Sequence, residues 1–408
     1  MNIKENIVIE KLDHFGRGIY KEDYNIYFID NTIPGDIVDI EIYKERKNIK
    51  ECRVIKYIKR SNNYIDSKCK YSNLCGGCNL INLSYEEQLK YKEEKIKELI
   101  NKMLKEDIKV NSIIPSKNIY NYRNKIILHG LNNTIGLYKN NTHELIEVNE
   151  CLLVPPEINK VINDIREYIK EKDVVISDIT IKRTTTGEIL LSIYGENIDY
   201  DDFYKEFRNI KVILINNQLI TKDKYIEEEL LGKRFNISNH SFFQVNSETV
   251  KALYRQVINY IKNDNYKNAL DLYCGTGTIG ILISDYVDHV LGIEEVEDAV
   301  NDAEKNKILN NINNIEFIKG KVEDNLDKIS NYDLIIVDPP RAGLDINARK
   351  NILRINAKSI IYVSCDPATL MRDLNDLKVN YEIKEITPVD MFPNTYHCES
   401  VCVLERKN

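Results

Sequence analysis

The sequence predicts an α/β protein in which a doubly wound, mostly parallel sheet follows a small OB-like β-barrel and a central α+β region. Three observations predict it. From about Phe235 onward, apolar runs at Ala269–Leu272, Val290–Ile293, Ile315–Ile318, Leu334–Val337 and Ile360–Val363 alternate with helical stretches, the pattern of βαβ units. The first 60 residues carry only short β-type runs. Between them the pattern is mixed. A length of 408 residues suits two or three domains, and the expected boundaries are 1–60, 61–234 and 235–408.

In the first segment, Ile7–Ile9, Tyr24–Ile29, Ile37–Ile42 and Cys52–Ile58 are separated by Gly16, Gly18 and the Pro34-Gly35 turn. Five or so short strands suit a small OB-like barrel, a shape often used for RNA; a β-barrel without a ligand would read the same way. Residues 61–80 form a cysteine-bearing loop. Ser84 is a candidate N-cap, with Glu86 and Glu87 in the first turn and a lysine-rich helix reaching about Lys105. In the mixed region, Lys125–Leu128, Gly187–Ser192 and Val212–Ile215 read as strands.

Composition narrows the classes. Hydrophobic content is 43%, and no apolar run approaches the ~20 residues of a membrane span. The amino terminus lacks the long apolar stretch of a secretory signal, so a cytoplasmic protein without membrane contact is expected. The net charge of −7 argues weakly against nucleic acid, which usually leaves a basic footprint. Basic residues nevertheless outnumber acidic ones between Ser61 and Gly130, so a basic face on an acidic protein is compatible with the sequence. Nine cysteines, an odd number in a chain of this kind, point to metal binding and nucleophilic chemistry rather than disulfides.

Four motifs carry chemistry. Asp271–Gly280, DLYCGTGTIG, places Gly275, Gly277 and Gly280 between a strand and a helix, and the next strand ends at Glu294. Such a turn lets the backbone approach a ligand closely, and the acidic residue can bind ribose hydroxyls. The leading aspartate and the threonines favour S-adenosylmethionine over NAD. Asp338–Arg341, DPPR, ends an apolar strand, and its prolines prevent continuation and turn Asp338 toward the sheet's carboxyl edge. D-P-P also occurs in amino-group methyltransferases acting on adenine, although Arg341 departs from their pattern. Cys365 ends the run Ser359–Val363, and Glu399 follows 34 residues later. Uracil carbon 5 is a poor nucleophile, but a thiolate added to carbon 6 makes an enolate that can accept a methyl group, after which a base must remove the carbon 5 proton. Cys365 can supply the thiolate and Glu399 the base. A buried structural cysteine is the plainer reading of Cys365 taken alone, as it is for Cys274, Cys398 and Cys402. His397 reads as a hydrogen-bonded structural residue or a proton shuttle. Finally, Cys69, Cys75 and Cys78 lie on one glycine-bearing loop with Cys151 available as a fourth thiol. Four thiolates suit an iron–sulfur cluster or zinc, and the spacing departs from paired C-x-x-C zinc knuckles.

Together these residues resemble the RNA uracil-5 methyltransferase family, and within it the members with an N-terminal TRAM domain and an iron–sulfur cluster. The likeness extends over essentially the whole chain. GRG at Gly16–Gly18, IPGD at Ile33–Asp36, YRNK at Tyr122–Lys125, FFQVN at Phe242–Asn246 and FPNTYHCESV at Phe392–Val401 are similar to family motifs. Asp366 and Cys398 depart from the usual asparagine and aliphatic residue without removing a reactive group. The resemblance implies a Rossmann-like class I methyltransferase domain behind a TRAM barrel. It implies S-adenosylmethionine contacts at Gln244, Tyr273, Glu294 and Asp338, a nucleophile at Cys365 and a base at Glu399. It further implies a 4Fe-4S cluster on Cys69, Cys75, Cys78 and Cys151, and 23S ribosomal RNA as the partner. Transfer RNA is the alternative substrate, and a non-catalytic, redox-sensing RNA-binding protein is the alternative class.

Overall fold

The computed structural model describes residues 2–131, 133–140, 142–262 and 264–407. Its N-terminal strands form a six-stranded half-barrel sheet. The order is Asn2–Val8, Ile37–Arg46, Ile49–Lys59, Asn25–Ile29, Gly18–Glu22 and Lys11–Leu12. Ile7, Ile9, Tyr27, Ile29, Val38 and Ile40 form a small core of their own on its inner face. Three register shifts between the two longest strands bend that pair around the core.

A seven-stranded sheet occupies the middle of the chain, centred on Lys125–Leu131, Val175–Arg183 and Ile189–Glu196. Helix Pro156–Lys172 lays Ile158, Val161, Ile162, Ile165 and Ile169 against it. These positions recur at three- and four-residue intervals, so one stripe of the helix is apolar and is buried.

The C-terminal sheet has eight strands. Their order is Ile315–Lys319, His289–Glu294, Asn268–Leu272, Leu334–Val337, Ser359–Ser364, Glu399–Arg406, Tyr381–Val389 and Lys109–Val110. The first five are parallel, and Glu399–Arg406 runs antiparallel to both of its neighbours. Leu270, Leu272, Ile335, Val337 and Ile360 face one layer of helices, which includes Ile346–Ile355 and Pro367–Leu377. Ala269, Ile336, Ile361 and Val363 face the other, which includes Ser247–Ile261 and Thr278–Ile283. Both faces are covered, which is why these strands read as unbroken apolar runs rather than alternating ones.

The lysine-rich helix runs from Tyr85 to Leu99, passes into a π turn at Ile100–Leu104 and stops at Lys105 in the left-handed conformation. Ser84 sits at its N-cap without a side-chain capping bond. Its apolar stripe, Ile96, Leu99, Ile100 and Leu104, packs on the C-terminal sheet. Lys92 is fully buried and forms an ion pair with the equally buried Asp390. The Tyr85 hydroxyl donates to the other Asp390 oxygen (2.8 Å), and Lys92 Nζ also donates to the Phe392 carbonyl (3.0 Å). Gln88 exchanges hydrogen bonds with Asn394, and the Tyr122 hydroxyl donates to the Pro393 carbonyl. The loop between the last two long strands is thus fixed by polar groups from the helix and from the segment after it.

Removing one member of a buried pair strands the other as an uncompensated charge. Lys92→Met should therefore destabilise the protein by ~3–5 kcal/mol in chemical denaturation. The double change Lys92→Met with Asp390→Leu should recover most of that loss.

Candidate active site

Strand order reverses between Asn268–Leu272 and Leu334–Val337, and in sheets of this type the ligand crevice lies outside the carboxyl ends at that point. A cavity of about 960 Å³ occupies it. Gln244, Tyr273, Glu294, Asp338, Cys365 and Glu399 all line this one cavity.

Its first half is the glycine turn. Gly275 and Gly277 have φ of 54° and 75°, and a Cβ on Gly277 would lie 2.6 Å from the Phe317 ring. Conformation and space therefore both require glycine there. Tyr273 takes the left-handed conformation without that excuse (φ 61°), a strained geometry that clusters at functional sites. Its hydroxyl donates to Glu323 (2.6 Å). Glu294 accepts from the Gly275 and Val296 amides at 3.0 and 2.9 Å, which fixes the carboxylate at the cavity wall. Asp271 accepts from the Gly280 amide (2.7 Å), while its other oxygen is buried with no hydrogen-bond partner among the described residues. Burial pushes the Asp271 carboxyl up to about 7. The carboxyl groups of Glu294, Glu323 and Asp271, the last with an orphaned acceptor, suit a ligand that brings positive charge and N–H donors, such as a sulfonium bearing an amino acid group.

The second half follows from strand register. Ser364 pairs with Ser400 in the antiparallel ladder, so Cys365 and Glu399, one step further toward the crevice, stand opposite each other. Val337 pairs with Tyr362 in the parallel ladder, which brings Asp338 to the same edge. Asp366 caps helix Pro367–Leu377 by accepting from the Ala368 and Thr369 amides, holding the backbone that carries Cys365. Burial pushes Glu399 up to about 8, with Asp338 adding to the shift, and burial pushes Asp338 up to about 7. The Cys365 thiol is pushed up to about 12 by burial, then by Glu399 and Asp338. These shifts all favour the protonated forms, and a cation placed among the groups would favour their charged forms. His397 is driven down to about 4 by burial and by Arg341, whose guanidinium lies 3.5 Å from Nε2. Both causes favour the neutral imidazole.

Sequence reasoning missed Tyr254. It projects from helix Ser247–Ile261 into the cavity, where burial and the nearby Asp338, Glu399 and Asp271 raise its hydroxyl well above the usual range. It resembles any other apolar-face residue of that helix, and no local motif distinguishes it.

Cys69, Cys75, Cys78 and Cys151 lie apart from this cavity as half-buried free thiols. The other three all raise Cys78, after burial, and Cys69 and Cys75 likewise raise Cys151, so the four share one neighbourhood. The Gly77 amide donates to Cys75 Sγ (3.4 Å). Among the described residues, no group of three or more His, Cys, Asp or Glu side chains is placed to hold a metal ion. The donor set fits thiolate-bound metal in kind, but the closed geometry that a structural zinc site needs is not formed.

Asp338 and Glu399 bind protons more tightly in the folded chain than at their ordinary values of 3.8 and 4.5. Between about pH 4 and pH 8 the native state holds the extra protons, so stability present at the acid end is lost as pH rises. The thermal midpoint of the ligand-free protein should fall from about pH 5 to about pH 8. Glu399→Gln should flatten that slope.

The model of the family described as tRNA (uracil-5-)-methyltransferase matches residues 84–407. An RNA methyltransferase of Caldanaerobacter subterraneus subsp. tengcongensis, described as uncharacterized, is 34% identical over 443 residues, covering 99% of this chain and 98% of that protein. Another, from Halalkalibacterium halodurans, is 33% identical over 449 residues, covering 98% and 97%. Among solved structures, the Pyrococcus abyssi tRNA (uracil-54, C5)-methyltransferase in complex with S-adenosyl-L-homocysteine aligns with a TM-score of 0.81 and 27% identity, covering 98% of this chain and all of that one. No helix among the described residues is long and apolar enough to cross a membrane. A reversed parallel sheet, a glycine turn at its switch point and agreement along nearly the full length converge: the chain belongs to the RNA uracil-5 methyltransferase family and is an S-adenosylmethionine-dependent RNA methyltransferase.

Proposed function

We propose that this enzyme methylates carbon 5 of a uridine through a covalent adduct on Cys365. The observation that carries the reading is the placement of Cys365 opposite Glu399 in one cavity with the glycine turn. Bound between Gln244, Tyr273, Glu294 and Asp338, S-adenosylmethionine would supply an electrophilic methyl group. The target base must leave its stack to reach Cys365, because carbon 6 is shielded inside a helix. The Cys365 thiolate then forms a bond to carbon 6, and the electron pair of the 5,6 double bond moves toward the carbon 4 carbonyl. That makes carbon 5 the nucleophile. As the bond from carbon 5 to the methyl group forms, the methyl–sulfonium bond would break and leave S-adenosylhomocysteine; the Glu399 carboxylate then takes the carbon 5 proton, the 5,6 double bond re-forms and the C6–S bond breaks, which frees the thiolate. Glu399 suits this task because burial has already raised its proton affinity toward neutrality.

For the substrate we propose 23S ribosomal RNA, supported by the half-barrel and the four-cysteine loop. A transfer RNA substrate is the second reading, favoured by the Pyrococcus abyssi neighbour, which is a tRNA enzyme. Mapping 5-methyluridine in RNA from a strain lacking the protein separates the two. We also propose that Cys69, Cys75, Cys78 and Cys151 hold a 4Fe-4S cluster rather than zinc, since the four thiols share one neighbourhood and their spacing departs from paired C-x-x-C knuckles. A cytoplasmic location fits a substrate of either kind.

Cys365→Ala should abolish methyl transfer to RNA while S-adenosylhomocysteine still binds; retained turnover would eliminate the adduct. Glu399→Gln should slow turnover by about 10²–10⁴-fold and accumulate a protein–RNA adduct visible in a denaturing gel. If the cysteines hold iron, anaerobically purified protein should show broad visible absorption and bound iron, both lost in Cys78→Ser. A colourless protein containing zinc would refute the cluster.

A further inference from the structure

A second cavity, about 770 Å³, lies between the half-barrel, the cysteine loop and the active site. Arg123, Arg341, Phe392 and His397 line both cavities, so the two are continuous. A row of aromatic rings crosses this groove from the half-barrel toward Cys365. Phe15 meets Tyr396 edge-on (5.7 Å, 85°), Tyr396 lies 4.2 Å from the His397 ring, and His397 is 5.8 Å from Phe392. Phe15 is 57% exposed although it sits on a tightly held turn. Its neighbours explain the rigidity. Lys95 Nζ donates both to the His14 carbonyl (2.9 Å) and to the Tyr396 carbonyl (3.2 Å), and lies 5.3 Å from the Tyr396 ring. The Tyr91 hydroxyl donates to the Asp13 carbonyl (2.7 Å). One helix therefore clamps the backbone beside both aromatic residues, which come from opposite ends of the chain.

Cations border the row. Arg17, ion-paired with Asp13, stacks over Phe28 (4.4 Å) beside Phe15, Lys139, ion-paired with Glu144, lines the far wall, and Arg123 and Arg341 stand at the junction with no ion pair among the described residues. The acid in this groove is Asp30, whose carboxyl burial pushes up toward its neutral form. Preorganised rings flanked by cations are what an unpaired strand needs, with bases on the rings and phosphates on the cations. A base pair inside a duplex would present no free face.

We propose that Phe15 and Tyr396 form a stacking platform for unpaired nucleotides flanking the target uridine, so that the enzyme takes its site as single-stranded RNA along this groove. The proposal rests on the reading of the protein as an RNA uridine methyltransferase and adds the strand's path and pairing state.

The test uses the full-length protein and a short oligouridylate carrying one 2-aminopurine nucleotide beside a central uridine. Wild type should bind it and quench the fluorophore by stacking. Phe15→Ala and Tyr396→Ala should each weaken binding by roughly 5- to 150-fold and restore fluorescence. Phe15→Trp should keep both signals. S-adenosylhomocysteine affinity, unchanged in each variant, shows that the fold is intact. The platform is overturned if folded alanine variants bind and quench like wild type, or if the same oligouridylate paired to oligoadenylate binds as tightly as the single strand. Wild type that neither binds nor methylates any RNA would overturn the parent reading and the platform with it, which is a different result from an insensitive alanine variant.

Discussion

Lys92 and Asp390 are both withdrawn from water, and the arrangement of the active site depends on their meeting. Burying either charge alone would cost several kcal/mol, and the pair recovers this only because the remaining hydrogen-bonding capacity is also used, by Tyr85 on Asp390 and by the Phe392 carbonyl on Lys92. The geometry admits one docking of helix Tyr85–Leu99 against the loop 390–397. That loop carries Phe392 and His397 and leads directly into Glu399. A hydrophobic contact of equal area could slide by a residue, whereas a satisfied buried ion pair cannot.

The same helix follows the cysteine loop in the chain. Leu80 donates its amide to the Asn394 carbonyl, and Gln88 accepts from the Asn394 amide. The thiol-bearing segment and the segment before the proposed base are therefore joined through a few buried polar groups. Inside the cavity the electrostatic design differs: burial dominates at Asp271, Asp338 and Glu399, and Arg341 offsets it only in part, at Glu399. A positively charged ligand placed there would favour the charged forms of these carboxyl groups.

Much of the C-terminal sheet is legible in the sequence because its strands are short apolar runs bounded by turns. The observed strands differ from the expected runs by a residue or so at each end. The glycine turn was legible because three glycines, a strand, a helix and Glu294 occur at fixed offsets. Cys365 and Glu399 were legible as chemistry, but their opposition depends on an antiparallel register that no local pattern encodes. Two features escaped for the same physical reason. A lysine-rich helix reads as solvated, yet Lys92 is buried because its partner lies 298 residues away. Tyr254 reads as ordinary core, and only the folded cavity turns its hydroxyl toward three carboxyl groups.

Strand Lys109–Val110 pairs with Tyr381–Val389, so the C-terminal sheet takes its edge from a segment that precedes the whole central sheet. This interleaving has a consequence for biosynthesis. Helix Tyr85–Leu99 and its π turn are translated 164 residues before Asn268, where the first parallel strand of the sheet they cover begins. At ~5–20 residues per second, the stripe Ile96, Leu99, Ile100 and Leu104 waits roughly 10 to 30 s outside the ribosome with nothing native to cover it. Vectorial folding is open to the half-barrel and to the central sheet, which has a core of its own, but closed to the helix and edge strand that lie between them in the chain. A nascent polypeptide of this topology depends on holdase chaperones or on a transient non-native cover until the last strands emerge.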